Sequence, residues 1–429
     1  MISYGTAIKS VLENTRELGS EKINVPDSLG RYIAKDVYSG VALPSVNNSA
    51  MDGFAVRAKD TLSAGRSKPV ILKIIGEIKA GDGKSKIKGI TPRSGECVEI
   101  FTGATIPAGA DAVIPIEDVE SSSARSTPAR IKIFRPAKRG QHIRYRGENV
   151  SKGERVLLRG HLIRPQEIGL LAQMGISRVD VFCRPRVAVL ATGNELVSAN
   201  TGRIPRRIPD GKIIDTNSWT LYNSVVCAGG IPILLGIAKD IKSEIRKKIL
   251  AAMEPALKPA GNIRTGKPPV NILLVSAGVS VGEHDYVKDV LKETGIIQKF
   301  WKVRQRPGQP LFFGVCRGVL VFGLPGNTVS TLLCFEQYVR PAMLKMQGSK
   351  KILPRLVVAT SEEKIDVQPG KTNFLRGMYT LRDGKYFVRL TGGQGSGILK
   401  SMVNSNCLIV LPERTAVVRP GGKVLIQPT

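Results

Sequence analysis

The chain is poor in the residues that build metal sites and covalent staples. It has three histidines in 429 residues, His142, His161 and His284, and six scattered cysteines with no C-x-x-C pair. Neither a zinc site nor a disulfide framework is expected from such spacing, and a reducing compartment fits it best. No apolar run approaches the ~18 residues needed to cross a bilayer. The first residues, MISYGTAIKSVLENTRELG, lack the apolar core and small-residue cleavage site of a secretory signal, and Ile8, Val11, Leu12 and Leu18 recur instead at helical spacing. The reading is a soluble, unexported, cytoplasmic protein. Acids are also scarce: 35 Asp and Glu face 64 Lys and Arg, a net charge of +29.

What is present suffices for several domains. The length is about three times the ~150-residue domain prior, and a hydrophobic fraction of 42% can fill the cores, which excludes disorder as the main description. Forty-five glycines and 26 prolines imply many turns. The positive excess favours polyanions or small oxyanions. Residues 125–164 carry 12 bases against 2 acids, but only Phe134 and Tyr145 are aromatic there. Single-strand platforms interleave bases with aromatics, so nucleic acid is a weak reading.

Texture divides the chain. From Pro44 to about residue 140, short strand-like runs (FAV, VILKII, CVEIF, AVIPI, RIKIF) alternate with turns, and Ser121 to Pro128 reads as a surface loop. From residue 185 the pattern is β-α-β: RVAVLATG, a helix over 215–228 capped by Asp215 or Asn217, IPILLGI, a helix over 241–253, NILLVSAG, the helix DYVKDVLKETG, VLVFGLPGN, and a long helix over 328–346. Continuous apolar strands between amphipathic helices predict a parallel, doubly wound sheet. Residues 254–269 read as an inserted loop. Beyond Gly348, LVVAT, YFVRL, NCLIVL and KVLIQ predict a small β-barrel or sandwich.

Ligands of open α/β sheets sit beyond the carboxyl ends of the strands, and three such loops stand out. ATGNEL leaves Glu195 near a helix start, where dipole compensation is the plain alternative to function. SAGVSVGEHDY sets Ser276, Gly278, Ser280 and Gly282 in a loop able to approach phosphate. Asp285 follows it, either as a helix cap or as a carboxylate where Mg²⁺ would bridge. GLPGNTVS, with Gly326, Asn327 and Ser330, is a second anion-friendly loop, although its glycines also suit tight packing. Elsewhere, RQRPGQP sets Arg304 and Arg306 around the Pro307-Gly308 turn, with Gln309 following, and suits an oxyanion. NFLRGMY and TGGQGSG add Arg376 and Ser396. Asp52-Gly53 reads first as a hairpin turn. The histidines read as structural.

The segments NNSAMDGFAV, FTGATIPAGADAVI, IRYRGENV, VAVLATGNELV, DTNSWTLY, VSAGVSVGEHDYVKDVL, FWKVRQRPGQP, FGLPGNTVS and TGGQGSG, in this order over nearly the whole chain, resemble the MoeA family of molybdopterin molybdenumtransferases, which includes the C-terminal domain of gephyrin. The resemblance implies an elongated discontinuous domain (1–43 and 142–180), an inserted β-rich domain (44–141), a parallel α/β molybdopterin-binding domain (181–347) and a C-terminal β-barrel (348–429). It implies a homodimer whose cleft is completed across the interface, and an upstream molybdopterin adenylyltransferase as pathway neighbour. The implied reaction is Mg²⁺-dependent insertion of molybdate into adenylylated molybdopterin with release of AMP. On this resemblance Asp52, Glu195, Asp285 and, more weakly, Asp240 form the acidic group, the last three at the metal. Thr102 holds substrate, Gly278, Ser280, Gly326 and Ser330 cradle the pterin phosphate, and Arg306, Arg376 and Ser396 bind the oxyanion.

Five positions depart from the family pattern. Asn194 replaces an acid in T-G-D-E-L, Asn149 replaces one in R-G-E-D, and Ile241 replaces the acid after Asp240. In the K-P-G-K-P turn, Arg306 and Gln309 stand where lysines are usual. Two alternatives follow: a divergent paralogue that inserts tungstate or takes a variant pterin, and a non-catalytic pterin-binding or scaffold protein.

Overall fold

The computed structural model describes residues 1–121, 129–198, 208–257, 270–278 and 286–429. Contacts divide it into two units, one of residues 1–35, 159–168 and 178–429 and the other of 36–158 and 169–177.

In the larger unit, α1 (Tyr4–Glu13) starts at Ser3, whose hydroxyl accepts the Thr6 amide at 3.1 Å, and it buries Ala7, Ile8 and Val11. Leu18 lies beyond its end. The α/β region then runs β1 (Arg186–Thr192), α2 (Thr216–Cys227), β2 (Ile231–Ala238), α3 (Lys242–Leu257), β3 (Ile272–Ser276) and α4 (Val287–Glu293). It continues through β4 (Ile297–Trp301), β5 (Val303–Arg306), β6 (Phe312–Cys316), β7 (Val319–Leu324) and α5 (Thr328–Cys334). A π-helical turn (Phe335–Val339) carries α5 into α6 (Arg340–Met346), so the expected long helix forms with a π turn in its middle. Asp215 caps α2 by accepting the Ser218 amide at 3.0 Å.

The sheet order is β2-β1-β3-β7-β6-β4. The first four strands are parallel, but β6 and β4 are antiparallel additions, so the sheet is mixed rather than wholly parallel. Its apolar runs follow from cover on both faces. Val187, Val189, Ile272 and Leu274 pack with α1, α2 and the long helix, while Ala188, Leu190, Leu273 and Val275 pack with α3 and α4. Helix α3 extends through Leu257, four residues into the expected loop; residues 258–269 lie outside the described residues.

The last region forms β8 (Val357–Ser361), β9 (Thr372–Arg382), β10 (Lys385–Leu390), β11 (Cys407–Leu411) and β12 (Lys423–Pro428). The order β9-β10-β8-β12-β11 closes on itself through β11 and β9, so the expected barrel is present. Strand β5 joins it by pairing parallel with β9, Gln305 opposite Thr372 and Arg306 opposite Asn373.

The second unit holds a six-stranded sheet built from the runs expected as strands, Gly53–Val56, Val70–Ile78, Glu96–Ile100, Ala112–Pro115 and Arg130–Ile133, with Val119–Ser121 at one edge. The Ser-rich run after Ser121 lies outside the described residues.

Candidate functional site: a cleft between sheet loops and barrel

A cleft of about 790 Å³ opens in the larger unit where the loops after β1, β3 and β7 face the turn after β5 and the edge of the barrel. From the sheet side come Glu195, Ser276, Gly278, Gly326, Asn327 and Ser330; from the other side come Arg306, Pro307, Gln309 and Ser396. Ten residues selected from sequence thus line one cavity.

The sheet wall is neutral and polar apart from Glu195. Asn217, at the start of α2, donates through Nδ2 to Ser276 Oγ and to the Gly326 carbonyl, both at 2.7 Å, tying two strand-end loops together. Its Oδ1 is buried without a partner. Thr192 Oγ1 donates to the Ser276 carbonyl at 3.2 Å. Ala277 and Gly278 both take positive φ, 74° and 71°. Ser280, Gly282 and Asp285 lie outside the described residues.

Glu195 does not stand at a helix start. It precedes the short strand Leu196–Val197, which pairs parallel with Ile213–Ile214, so dipole compensation does not explain it. The carboxylate is exposed and folds over Gly193, where a Cβ would meet it at 2.6 Å. Asp240 stays off the lining. Its Oδ2 accepts the Asn194 amide at 3.0 Å and its own amide donates to Asn194 Oδ1 at 3.2 Å. The asparagine that replaces an acid is therefore held by the neighbouring Asp240.

The opposite wall carries the cations. Arg306 ends β5 and is exposed. Arg304 turns elsewhere and pairs with Glu413 at 3.1 Å. Ser396 Oγ accepts Asn327 Nδ2 at 3.0 Å, a direct bond between the two walls. Arg376 is off this lining and only 1% exposed; its Nε donates to Ser401 Oγ at 3.0 Å and Nη2 to the Gly395 carbonyl at 3.1 Å. Nη1 is buried with no partner, and burial lowers the guanidinium's pKa. Arg376 lines an adjoining cavity of about 730 Å³ that shares Arg306, Pro307 and Gly395 with the cleft.

Asp52 and Thr102 belong to the second unit and meet each other. Asp52 Oδ1 accepts both the amide and the hydroxyl of Thr102 at 2.7 Å, and these bonds hold its pKa below the ordinary carboxylate value. The hairpin reading of Asp52-Gly53 fails. Asn48–Ser49 pairs with Ile143–Arg144, whereas Gly53–Val56 lies between Glu96–Ile100 and Ala112–Pro115. Gly53 answers to close approach instead, since a Cβ there would stand 2.0 Å from the Ile114 carbonyl oxygen.

Three family models cover the chain in order: the MoeA N-terminal region (domain I and II) over residues 2–175, a probable molybdopterin binding domain over 188–345, and the MoeA C-terminal region (domain IV) over 358–429. A protein of Haemophilus influenzae named molybdopterin molybdenumtransferase is 36% identical over 95% of this chain and 94% of its own. A Nostoc protein of the same name is 32% identical over 92% and 86%. The chain belongs to the MoeA family. The crystal structure of the molybdopterin biosynthesis MoeA protein from Pyrococcus horikoshii OT3, 30% identical, superposes over the whole of both chains with a TM-score of 0.81. Membership makes this an enzyme of molybdenum cofactor biosynthesis with the multi-domain MoeA fold.

Several residues on this MoeA cleft escaped sequence reasoning. Lys371, just before β9, shares the lining with Arg306 because β5 and β9 are paired. Gln394 also lines it and donates through Nε2 to the Arg376 carbonyl at 3.1 Å. The signals in the sequence are the NFLRGMY motif, which begins two residues after Lys371, and TGGQGSG, which contains Gln394. Of the two cap candidates for α2, Asp215 is the cap, which leaves Asn217 to the cleft.

Proposed function

We propose that the protein inserts molybdate into adenylylated molybdopterin and releases AMP, acting in the cytoplasm as a homodimer that receives its substrate from a molybdopterin adenylyltransferase. The carrying observation is one cleft with amides and hydroxyls on one wall and Arg306 and Lys371 on the other. The sheet wall suits a phosphorylated pterin, and the cationic wall suits a dianion. The partnerless Nη1 of Arg376 behind the shared Gly395 adds support for an anion on that side.

In the proposed reaction the two dithiolene sulfurs replace one oxo ligand of molybdate. Their two protons leave with that oxygen as water, and molybdenum keeps its oxidation state. Separately, water attacks the phosphoanhydride, giving the pterin phosphate and AMP. Glu195, the one acid among the described lining residues, orients that water and takes its proton. Arg306 and Lys371 hold the oxyanion, while Ser276, Gly278, Gly326 and Ser330 hold the pterin phosphate. The Asp52–Thr102 pair is assigned to a second copy's cleft.

Mg²⁺ belongs to the family expectation. Among the described residues no three His, Cys, Asp or Glu gather to hold a metal ion. Glu195 lines the cleft, Asp240 is bonded to Asn194, and Asp285 lies outside the described residues. The described donors do not make a divalent site, so no step here passes through one. No helix among the described residues is long and apolar enough to cross a membrane.

The test is AMP release from adenylylated molybdopterin with molybdate or tungstate, using Glu195→Ala as control. Turnover at least about a hundredfold above the control is expected, the scale of a lost general base. Equal AMP release by both proteins would sink the reading, and a clear preference for tungstate would change its metal.

A further inference from the structure

The turn that brings Arg306 into the cleft is pinned from below by uncharged groups. Gln305, Cys334 and Tyr338 are each 0% exposed. Gln305 Nε2 donates to the Gly308 carbonyl at 3.0 Å, and the Cys334 thiol donates to the same oxygen at 3.6 Å. Gln305 Oε1 accepts from the Tyr338 hydroxyl. Gly308 lies directly on this layer. Its φ is 86°, and a Cβ there would stand 2.7 Å from Cys334 Sγ and 2.9 Å from Gln305 Nε2.

The π-helical turn supplies the anchor. Such turns shift the helical register by one residue and often mark functional positions. Here two consecutive residues bond in different directions. Tyr338 reaches Gln305 under the cleft turn, while Gln337 Nε2 donates to Gln427 Oε1 on barrel strand β12 at 2.8 Å and its Oε1 accepts the Tyr4 hydroxyl at 2.9 Å. Burial pushes the Tyr338 phenol well above its ordinary pKa and the Cys334 thiol up to about 12, so both remain donors. The chain of bonds keeps one direction, from Tyr338 through Gln305 to the turn carbonyl, and buried bonds in series polarise one another.

We propose that Gln305 and Tyr338 are positioning residues that hold the Arg306–Gln309 turn, and with it the Arg306 guanidinium, in the geometry that binds a tetrahedral oxyanion. The identity of the anion rests on the function proposed above; the positioning does not. The full chain carrying Tyr338→Phe, or Gln305→Met, tests it by two measurements. In hydrogen exchange, a peptide spanning 306–311 should exchange about tenfold faster, with Cys407–Leu411 unchanged, as expected when a buried bond of ordinary strength is lost. In turnover, the half-saturating molybdate concentration should rise about tenfold and that of adenylylated molybdopterin less than about twofold. Half-saturation values that rise together, no change in either, or exchange that rises equally across the barrel would overturn the proposal. If the parent protein releases no AMP, the function reading falls, and calorimetric titration with tungstate and with AMP still decides: affinity lost for tungstate alone supports positioning, and unchanged tungstate affinity refutes it.

Discussion

The wall of the cleft made by the sheet loops and the wall made by the β5 turn and the barrel edge are built by different physics. On the sheet wall, polar groups arrive as strand ends give way to loops and helix starts, and Asn217 ties the loops at Ser276 and Gly326 together. Its only described charge is Glu195. On the opposite wall Arg306 and Lys371 are brought to one lining by the parallel pairing of β5 with β9, two strands more than sixty residues apart in sequence. One wall is local geometry repeated three times, and the other is a long-range register. The first suits phosphate and pterin recognition through oriented dipoles, the second a field for a dianion.

If the division is real, damage to one wall should not spread to the other substrate. The largest effect on half-saturation is expected for Arg306→Ala. A charge-assisted contact is worth about 2 kcal/mol, so half-saturating molybdate should rise roughly thirtyfold. Ser330→Ala should instead raise that of adenylylated molybdopterin and leave molybdate within about twofold. Steady-state titration of each substrate against both variants makes the check, and a common rise in both constants for either variant would erase the distinction between walls.

A smaller loss is expected for Lys371→Met, which keeps the stem and removes the charge. Lys371 makes no ion pair among the described residues and sits in an open cleft, where a single charge contributes about 1 kcal/mol. Half-saturating molybdate should rise about fivefold and become less sensitive to salt. Coupling with Arg306→Ala, read from the double variant, should be measurable because both cations face one anion. An unchanged salt dependence would remove Lys371 from the site and leave Arg306 as the only cation among the described residues of that wall.

The same contrast explains what could be read from the sequence. Glu195, Ser276, Gly278, Gly326 and Ser330 were legible because a buried apolar strand followed by a Gly- and Ser-bearing turn announces a ligand loop by itself. The barrel strands were legible by pattern, but Lys371 was not, since nothing local tells a strand which distant partner it will take. The antiparallel edge of the sheet was missed for a related reason: Phe312–Cys316 and Val319–Leu324 are as apolar as parallel strands, and direction is set by the tight turn between them. At Asp52-Gly53 the dipeptide favoured a hairpin, yet the glycine is demanded by the Ile114 carbonyl across the sheet, a contact more than sixty residues away. The π turn under Arg306 was not legible in the sequence, where 328–346 reads as one continuous helix; the backbone of Phe335–Val339 shows it, and the bonds of Gln337 and Tyr338 show what it holds.

The smallest expected effect concerns the sheet wall's altered acid. Asn194→Asp restores the carboxylate usual in the family beside Glu195, and the structure says how it would be received. The Asp240 amide now donates to Asn194 Oδ1 at 3.2 Å, a bond a carboxylate can accept equally well, while Asp240 Oδ2 already takes the Asn194 backbone amide at 3.0 Å. Backbone pairing is untouched, and the side chain is exposed. Asn194 is not among the cleft-lining residues, so AMP release should change by no more than about twofold, roughly 0.4 kcal/mol of barrier. Lys212 Nζ, which donates to the Asn194 carbonyl, is close enough to offset part of the added charge. A gain above about tenfold would mean that the missing acid limits the natural enzyme and that the sheet wall, too, works by charge.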